Sequence, residues 1–501
     1  MPEPQSVAAS RAGTDFALWR RRTLIVIGIL LLLRLVSLAF NTTELFFDEA
    51  QYWFWGKEPA FGYFSKPPLL AWLIGLATAL FGNSEFAVRV ASPVLHSATA
   101  FVIFAIGDRL FDPRTGFWSA VTYATLPAVS LSSTIASTDV PLLFCWSLAI
   151  LAFLRLERSP TLASGAMLGL AIGAGLLAKY AMAYFFLCAA IYAVAGRRKP
   201  AFWQNSAFWL AVAVSAAMIA PNIWWNSQHQ FATVSHTGDN IGWDGSLHFR
   251  ALFEFVGSQF GVFGPILFGM FLVTAFRLIT EGMDRSQRLL LCFSLPVLVL
   301  ILFQAILSKA YANWAATAYV AGTVLVADIL FNRIPLWWGR WSLGIHSFVF
   351  AVIAVSVAFS RPGELGLPDE LSPFARMHGA REIAAAARQH AESSGNWTVL
   401  VDNRRLAALM NYYLRDSGLE IRSWRAGPVA RDHFELDQAF QDDPADRALL
   451  ATADTNPAQI VASFARVELL GEVKPAGGVA RAVWFYSLSD FRADAQGTQS
   501  Q

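Results

Sequence analysis

Runs of about twenty predominantly apolar residues recur through the first 360 positions, near 23–40, 86–107, 116–134, 138–154, 161–178, 180–195, 206–223, 259–278, 288–307, 312–331 and 337–359. A helix of that length spans the ~30 Å hydrocarbon core of a bilayer. In lipid each backbone N–H and C=O must be satisfied within its own segment, so such runs fold as helices. The chain is therefore expected to be an all-α polytopic membrane bundle of about 11 to 13 transmembrane helices. Composition agrees: 55% of residues are apolar and only 15% charged, against about 25% charged in soluble domains. The formal net charge of +2 gives no reason to expect a nucleic-acid partner. Cys145, Cys188 and Cys292 each lie in an apolar run without a second Cys or a His nearby, and read as small buried hydrophobes.

Arg20, Arg21 and Arg22 precede the first run, which contains Arg34 and ends in NTTELFFDE. No small-residue cleavage site follows, so this is a retained first helix rather than a signal peptide. Arg and Lys gather in alternate loops, at Arg109 and Arg114, Arg155 and Arg158, Arg197 to Lys199, Arg277 to Arg288, and Arg333 and Arg340. Positive residues in short loops stay cytoplasmic, which puts the N-terminus on the cytoplasmic side. That orientation requires PPLLAWLIGLATALFG at 67–82 to be interfacial or re-entrant; if it crosses, every later loop changes sides.

Beyond Ser360 the pattern changes. A linker, RPGELGLPDE, leads into about 130 residues of soluble pattern, with helices expected at REIAAAARQHAES and LAALMNYYLRD and strands at WTVLVDN, ALLATA and ARAVWFYSL. The expected division is a membrane catalytic domain, 1–360, and a small periplasmic α/β domain, 361–501, with a positioning or acceptor-docking role.

The residues able to carry chemistry gather at the outer ends of the helices. Asp48 and Glu49 stand among Phe46, Phe47, Tyr52, Trp53, Phe54 and Trp55. A carboxylate near lipid is expensive; one of these could act as a general base in low-dielectric surroundings, or simply begin a helix. Lys66 and Lys179 could each neutralise a phosphate, Lys66 equally snorkelling to lipid headgroups. Asp139 could line a pocket or cap the helix it begins. His229, His236, Asp239, Asn240 and His248 lie beside tryptophans in a long outer loop, and Lys309, Tyr311, Asn313 and Trp314 form a similar group. Rings and amides suit a sugar's apolar faces and hydroxyls, and the His and Asp spacings match no compact metal motif.

Taken together, FFDEAQYW, YFSKPPLLAW, STDVPLLF, LLAKY, HTGDN and KAYANWAATAY resemble the bacterial members of the protein mannosyltransferase-like family. These belong to the GT-C glycosyltransferase superfamily, which includes the aminoarabinose transferases that modify lipid A. The resemblance covers nearly the whole membrane portion. It implies a GT-C-like bundle with interfacial helices in its first outer loop, and inverting transfer from a polyprenyl-phosphate-linked sugar at the periplasmic face. The acceptor would be lipid A, lipopolysaccharide, another glycolipid or protein. By this resemblance Asp48, with Glu49 beside it, is the base, Asp139 a second acid lining the cavity, and Lys66 and Lys179 the carrier-phosphate contacts. Tyr52, His236, Asp239, Asn240, Lys309, Asn313 and Trp314 are the expected sugar and acceptor pocket. In the aminoarabinose transferases a glutamate and a histidine hold a metal; here the glutamate position is Ser65, so no metal or other cofactor is expected, and a monomer is. The alternative is a lipid-linked sugar transporter, but no internal repeat of the kind transporters carry is present.

Overall fold

The computed structural model describes residues 5–196, 204–243, 245–364, 374–440, 447–476, 478 and 482–492, with 5–13 and 239–241 described by backbone alone. The basic loop Arg197 to Lys199 and most of the proposed linker lie outside the described residues.

Among the described residues, six helices are long and apolar enough to cross a membrane: Thr14–Ala39, Glu85–Leu110, Asp139–Arg158, Ser206–Gln228, Arg285–Leu307 and Trp337–Ala358. A seventh is counted if Phe249–Val262 and Pro265–Glu281, bent by 113°, form one span. The other apolar runs do not make single continuous helices, for identifiable reasons. Leu126 is extended because Pro127 follows it, splitting 116–134 into Pro113–Thr125 and Pro127–Ser132. The bend in 259–278 falls at Gly264, whose φ of +93° favours glycine, just ahead of Pro265. The run 312–331 begins as a 3-10 turn, is α-helical over Ala318–Asp328 and ends in a π turn. Leu69–Phe81 has 13 residues and at 1.5 Å per residue is too short to span the hydrocarbon core.

Contacts divide the chain into two compact units. The first comprises Met1–Ala39, Lys66–Leu70 and Arg89–Val355. Its central helix is Asp139–Arg158, 72% buried over its apolar window, whereas Trp337–Ala358 is 17% buried and turns Phe348, Val352 and Val355 outward. Helix Leu162–Ala178 packs closely on Ser206–Gln228 because Gly165, Gly169 and Gly173 recur every fourth residue. A Cβ at Gly165 would lie 2.1 Å from the Ala207 carbonyl oxygen, and one at Gly169 2.6 Å from that of Ala211. Small residues permit the backbone approach that drives helix association in lipid.

The second unit comprises Phe40–Ser65, Ala71–Val88 and Ser356–Gln501. Its sheet contains β1 (Thr398–Val401), β2 (Glu420–Ser423), β3 (Ala448–Thr452), β4 (Phe464–Val473) and β5 (Val483–Phe491) in the order β2-β1-β3-β5-β4. β1 runs parallel to β2 and β3, and β5 antiparallel to β3 and β4. β3, buried throughout, is central. The helices expected from the sequence form at Ala380–Ser394 and Arg404–Tyr413. β2 and β4 were not legible: the first has four residues, and the second is an edge strand buried only at Phe464. Helix Phe47–Lys57, from the loop after the first helix, packs against Arg404–Tyr413, so that loop belongs to the unit built by the C-terminal residues.

Candidate active site

In the first unit, polar side chains converge on Asp139. It opens the central helix, and its side chain is only 10% exposed. Its Oδ1 accepts from Lys179 Nζ at 2.7 Å, and its Oδ2 from Asn313 Nδ2 at 2.5 Å. Its own N–H donates to Ser137 Oγ at 3.2 Å, while Thr138, the capping residue, makes no side-chain cap. Pocket and helix start are thus served by one residue. Lys179 is placed by the break after Ala178, where the backbone turns extended (φ −162°, ψ 135°) before the 3-10 turn Tyr180–Ala183. Asn313 is placed by the 3-10 turn Ala312–Ala315, which Gln259 holds through a bond from Nε2 to the Ala312 carbonyl at 3.2 Å. Tyr319 OH donates to Gln259 Oε1 at 2.6 Å.

Beside Lys179, Tyr180 OH donates to Asn222 Oδ1 at 2.7 Å and accepts from Asn226 Nδ2 at 3.3 Å. These buried amides lie one turn apart after Pro221 in an otherwise apolar helix, a signal present in NIWWN that sequence reasoning passed over. Asn226 Oδ1 also accepts from Thr233 N–H at 3.2 Å, tying down helix Ala232–Ile241, which carries half-buried His236. The side chains of Asp239 and Asn240 lie outside the described residues. His229 stacks on Trp225 at 4.0 Å. Lys309 is exposed, its ammonium 5.8 Å from the Tyr311 ring centroid, and that ring packs on Trp314 at 5.5 Å. Lys66 is half-buried.

In the second unit, Asp48 lies in the first turn of Phe47–Lys57, 36% exposed, and Oδ1 accepts from Arg404 Nη2 at 3.0 Å. Arg404 and Arg405 stand over the Phe47 ring at 4.9 and 5.1 Å. Burial, and then the neighbouring Arg376 and Arg404, lower the Arg405 pKa. Asn403 caps helix Arg404–Tyr413, its Oδ1 accepting from Leu406 N–H at 3.0 Å. Two arginines in a helix's first turn oppose its dipole, which was the available sign that they serve something else. Glu49 is buried, and its Oε2 accepts from the Phe46 N–H at 2.9 Å, the bond of a helix-start carboxylate. Tyr52 is buried against Trp55, and Trp55 stacks on Tyr63 at 4.7 Å. Glu44, from the same segment, caps Ala380–Ser394 by accepting from Ala380 N–H at 2.6 Å; burial raises its pKa.

The position that the resemblance gives to a metal-binding glutamate holds a serine. Ser65 Oγ accepts from Gln51 Nε2 at 3.4 Å, and among the described residues no three His, Cys, Asp or Glu side chains group as ligands.

The family model described as dolichyl-phosphate-mannose-protein mannosyltransferase matches residues 65–225. Lipid A galacturonosyltransferase RgtD of Rhizobium johnstonii is 36% identical over 435 residues, covering 86% of this chain and 91% of that protein. The chain belongs to the bacterial protein mannosyltransferase-like glycosyltransferases of the GT-C superfamily. The undecaprenyl phosphate-α-4-amino-4-deoxy-L-arabinose arabinosyl transferase of Pseudomonas aeruginosa is 32% identical over 169 residues, 32% of this glycosyltransferase and 30% of that protein. The crystal structure of ArnT from Cupriavidus metallidurans superposes with a TM-score of 0.66 at 15% identity, covering 92% of this chain and 97% of that one. The glycosyltransferase therefore shares that fold, a helical membrane portion with a small C-terminal sheet.

Proposed function

We propose that the chain transfers a single galacturonic acid residue from a polyprenyl-phosphate carrier to lipid A, with inversion, at the periplasmic face of the inner membrane. The observation that carries this reading is the likeness to the lipid A galacturonosyltransferase through 91% of that protein; the likeness to the aminoarabinose transferase covers about a third of either chain. The donor class is supported by that enzyme's undecaprenyl-phosphate substrate.

In this reading Asp48 takes the proton from an acceptor hydroxyl. The hydroxyl oxygen attacks the anomeric carbon from the face opposite the carrier, the bond from that carbon to the phosphate oxygen breaks, and the carrier phosphate leaves as an anion. Asp139 takes one of the three ammonium donors of Lys179 and fixes its position, and a donor left over neutralises the leaving phosphate as its charge develops. Lys66 is a second phosphate contact. Glu49 positions the Asp48 helix through the Phe46 N–H. Arg404 orients Asp48. Tyr180, Asn222, Asn226, His236, Lys309 and Trp314 are placed around the sugar. The polypeptide acts as a monomer with its N-terminus cytoplasmic, 1–360 as the catalytic portion and 361–501 as a periplasmic acceptor-facing domain.

Mass spectrometry of lipid A from cells lacking the protein tests this. Loss of one galacturonic acid mass, restored by the wild type and not by Asp48→Asn, is the expected result. An unchanged lipid A with another glycolipid altered would reassign the acceptor. A sugar-linked carrier accumulating on the inner leaflet, with transfer intact once it is flipped, would make the protein a transporter.

A further inference from the structure

The central helix has chemistry at both ends. Asp139 begins it; Arg155 and Arg158 lie in its last turn, some 30 Å away at 1.5 Å per residue, about the thickness of the hydrocarbon core. At that far end a cavity of about 430 Å³ is lined by Arg109, Arg155, Glu157, Arg158, Arg285 and Ser286, together with Leu110, Leu154 and Leu289. The arginines come from three separate segments: the end of Glu85–Leu110, the end of Asp139–Arg158, and the start of Arg285–Cys292.

Loop arginines need no further explanation on a cytoplasmic face. Their convergence on one cavity does, because like charges brought together repel. Glu157 lines the cavity, its side chain 1% exposed and bonded to Arg285 Nη2 at 3.1 Å. Asp108 stands beside Arg109. Among the lining residues four guanidiniums face one carboxylate, an excess of three positive charges, by 4 − 1. The bond to Glu157 fixes Arg285 at the rim, and Ser286 Oγ is turned away to the Leu110 carbonyl at 3.1 Å. A cavity lined by leucines and guanidinium donors together matches an amphiphile with an anionic head, and guanidinium pairs well with phosphate oxygens.

We propose that this cavity is a phosphate-binding site of the inner-leaflet side, distinct from the Asp139 end, and that it takes the phosphate of an acidic phospholipid. Basic pockets between membrane helices on this side are suited to such headgroups. A soluble phosphate would present the same chemistry, so the test separates the two.

Full-length protein is purified in a neutral detergent and mixed with phosphatidylglycerol, with phosphatidylcholine or with inorganic phosphate, and binding is read by native mass spectrometry and by the rise in Tm. The expected result is retention of phosphatidylglycerol over phosphatidylcholine, weakened roughly 30-fold in an Arg155→Ser, Arg158→Ser double variant. These two residues are chosen because Arg285 is tied to Glu157, and its loss could unfold the site. Arg250→Ser, which removes an exposed charge paired with Glu254 on its own helix, should leave binding unchanged. Protection by inorganic phosphate, lost in the double variant, supports the site with a soluble anion as its occupant. Equal retention of both lipids with no protection by phosphate, or phosphatidylglycerol retention untouched in the double variant, overturns the proposal.

Discussion

Asp139 and Asp48 are both acids at the start of a helix, yet the protein treats them differently. Asp139 is 10% exposed, with a lysine on one oxygen and an amide on the other. Asp48 is 36% exposed, in an ion pair with an arginine that itself lies over an aromatic ring. A carboxylate locked on both oxygens makes a poor base and a good anchor, since taking a proton would cost it an ion pair largely removed from water. Asp48 is the less enclosed of the two, its side chain 36% exposed against 10%, so a change of protonation there disturbs a pair that water already screens. On the proposed reading this contrast goes with positioning by Asp139 and proton transfer by Asp48, and it can be broken.

The largest effect is expected from Asp48→Asn. A lost general base costs ~10²–10⁴ in turnover, while a surface-type ion pair contributes only about 0–1 kcal/mol to stability. Single-turnover rates on purified enzyme should collapse while Tm stays near wild type; retained turnover would move the base elsewhere. Next comes Lys179→Ala, for which donor KM should rise roughly 10- to 100-fold, the worth of a charged hydrogen bond, with acceptor KM little changed. Combined with Asp139→Ala it gives a cycle: each single change should destabilise by about 2–3 kcal/mol by stranding its partner, and the double variant by less than the sum. Additive losses would show that the two residues do not work as a pair.

Gly169→Leu sharpens the contrast by disturbing only the first unit's scaffold. Forcing a side chain against the Ala211 carbonyl should cost about 1–3 kcal/mol, read as a lower unfolding midpoint with donor KM unchanged at permissive temperature. The smallest effect is in the second unit, at Glu44. Burial raises its pKa in the folded protein, so the stability linked to its protonated form is present below the usual carboxyl value near 4.5 and is lost as pH rises through the folded value. Wild type should therefore lose stability relative to Glu44→Gln between pH 4.5 and 7, by ~1–2 °C in midpoint. A pH-independent difference would mean that the cap bonds to Ala380 and Arg381 cancel burial, and a gain in stability with rising pH that they outweigh it.

Legibility in the sequence followed the range of the interaction. Asp139 and Lys179 could be singled out because a charge between apolar runs is conspicuous wherever it occurs. Their pairing with Asn313 could not, since those residues are 40 and 174 positions from Asp139, and a hydrogen bond leaves no periodic trace. Glu49 was read together with Asp48 because adjacency in sequence says nothing about which oxygen meets the Phe46 N–H. Arg404 was missed although its dipole-opposing place was visible, because its partner Asp48 lies 356 residues earlier.

The sequence by itself determined the solvent, the helical character and the two kinds of chain, because hydrophobic run length and periodicity are local properties that the bilayer and water impose directly. Only the tertiary structure decided where the apolar runs break, that the loop after the first helix packs with helix Arg404–Tyr413, and which charge neutralises which. Those outcomes depend on backbone approach, burial and partner geometry between distant segments, and no local pattern encodes them.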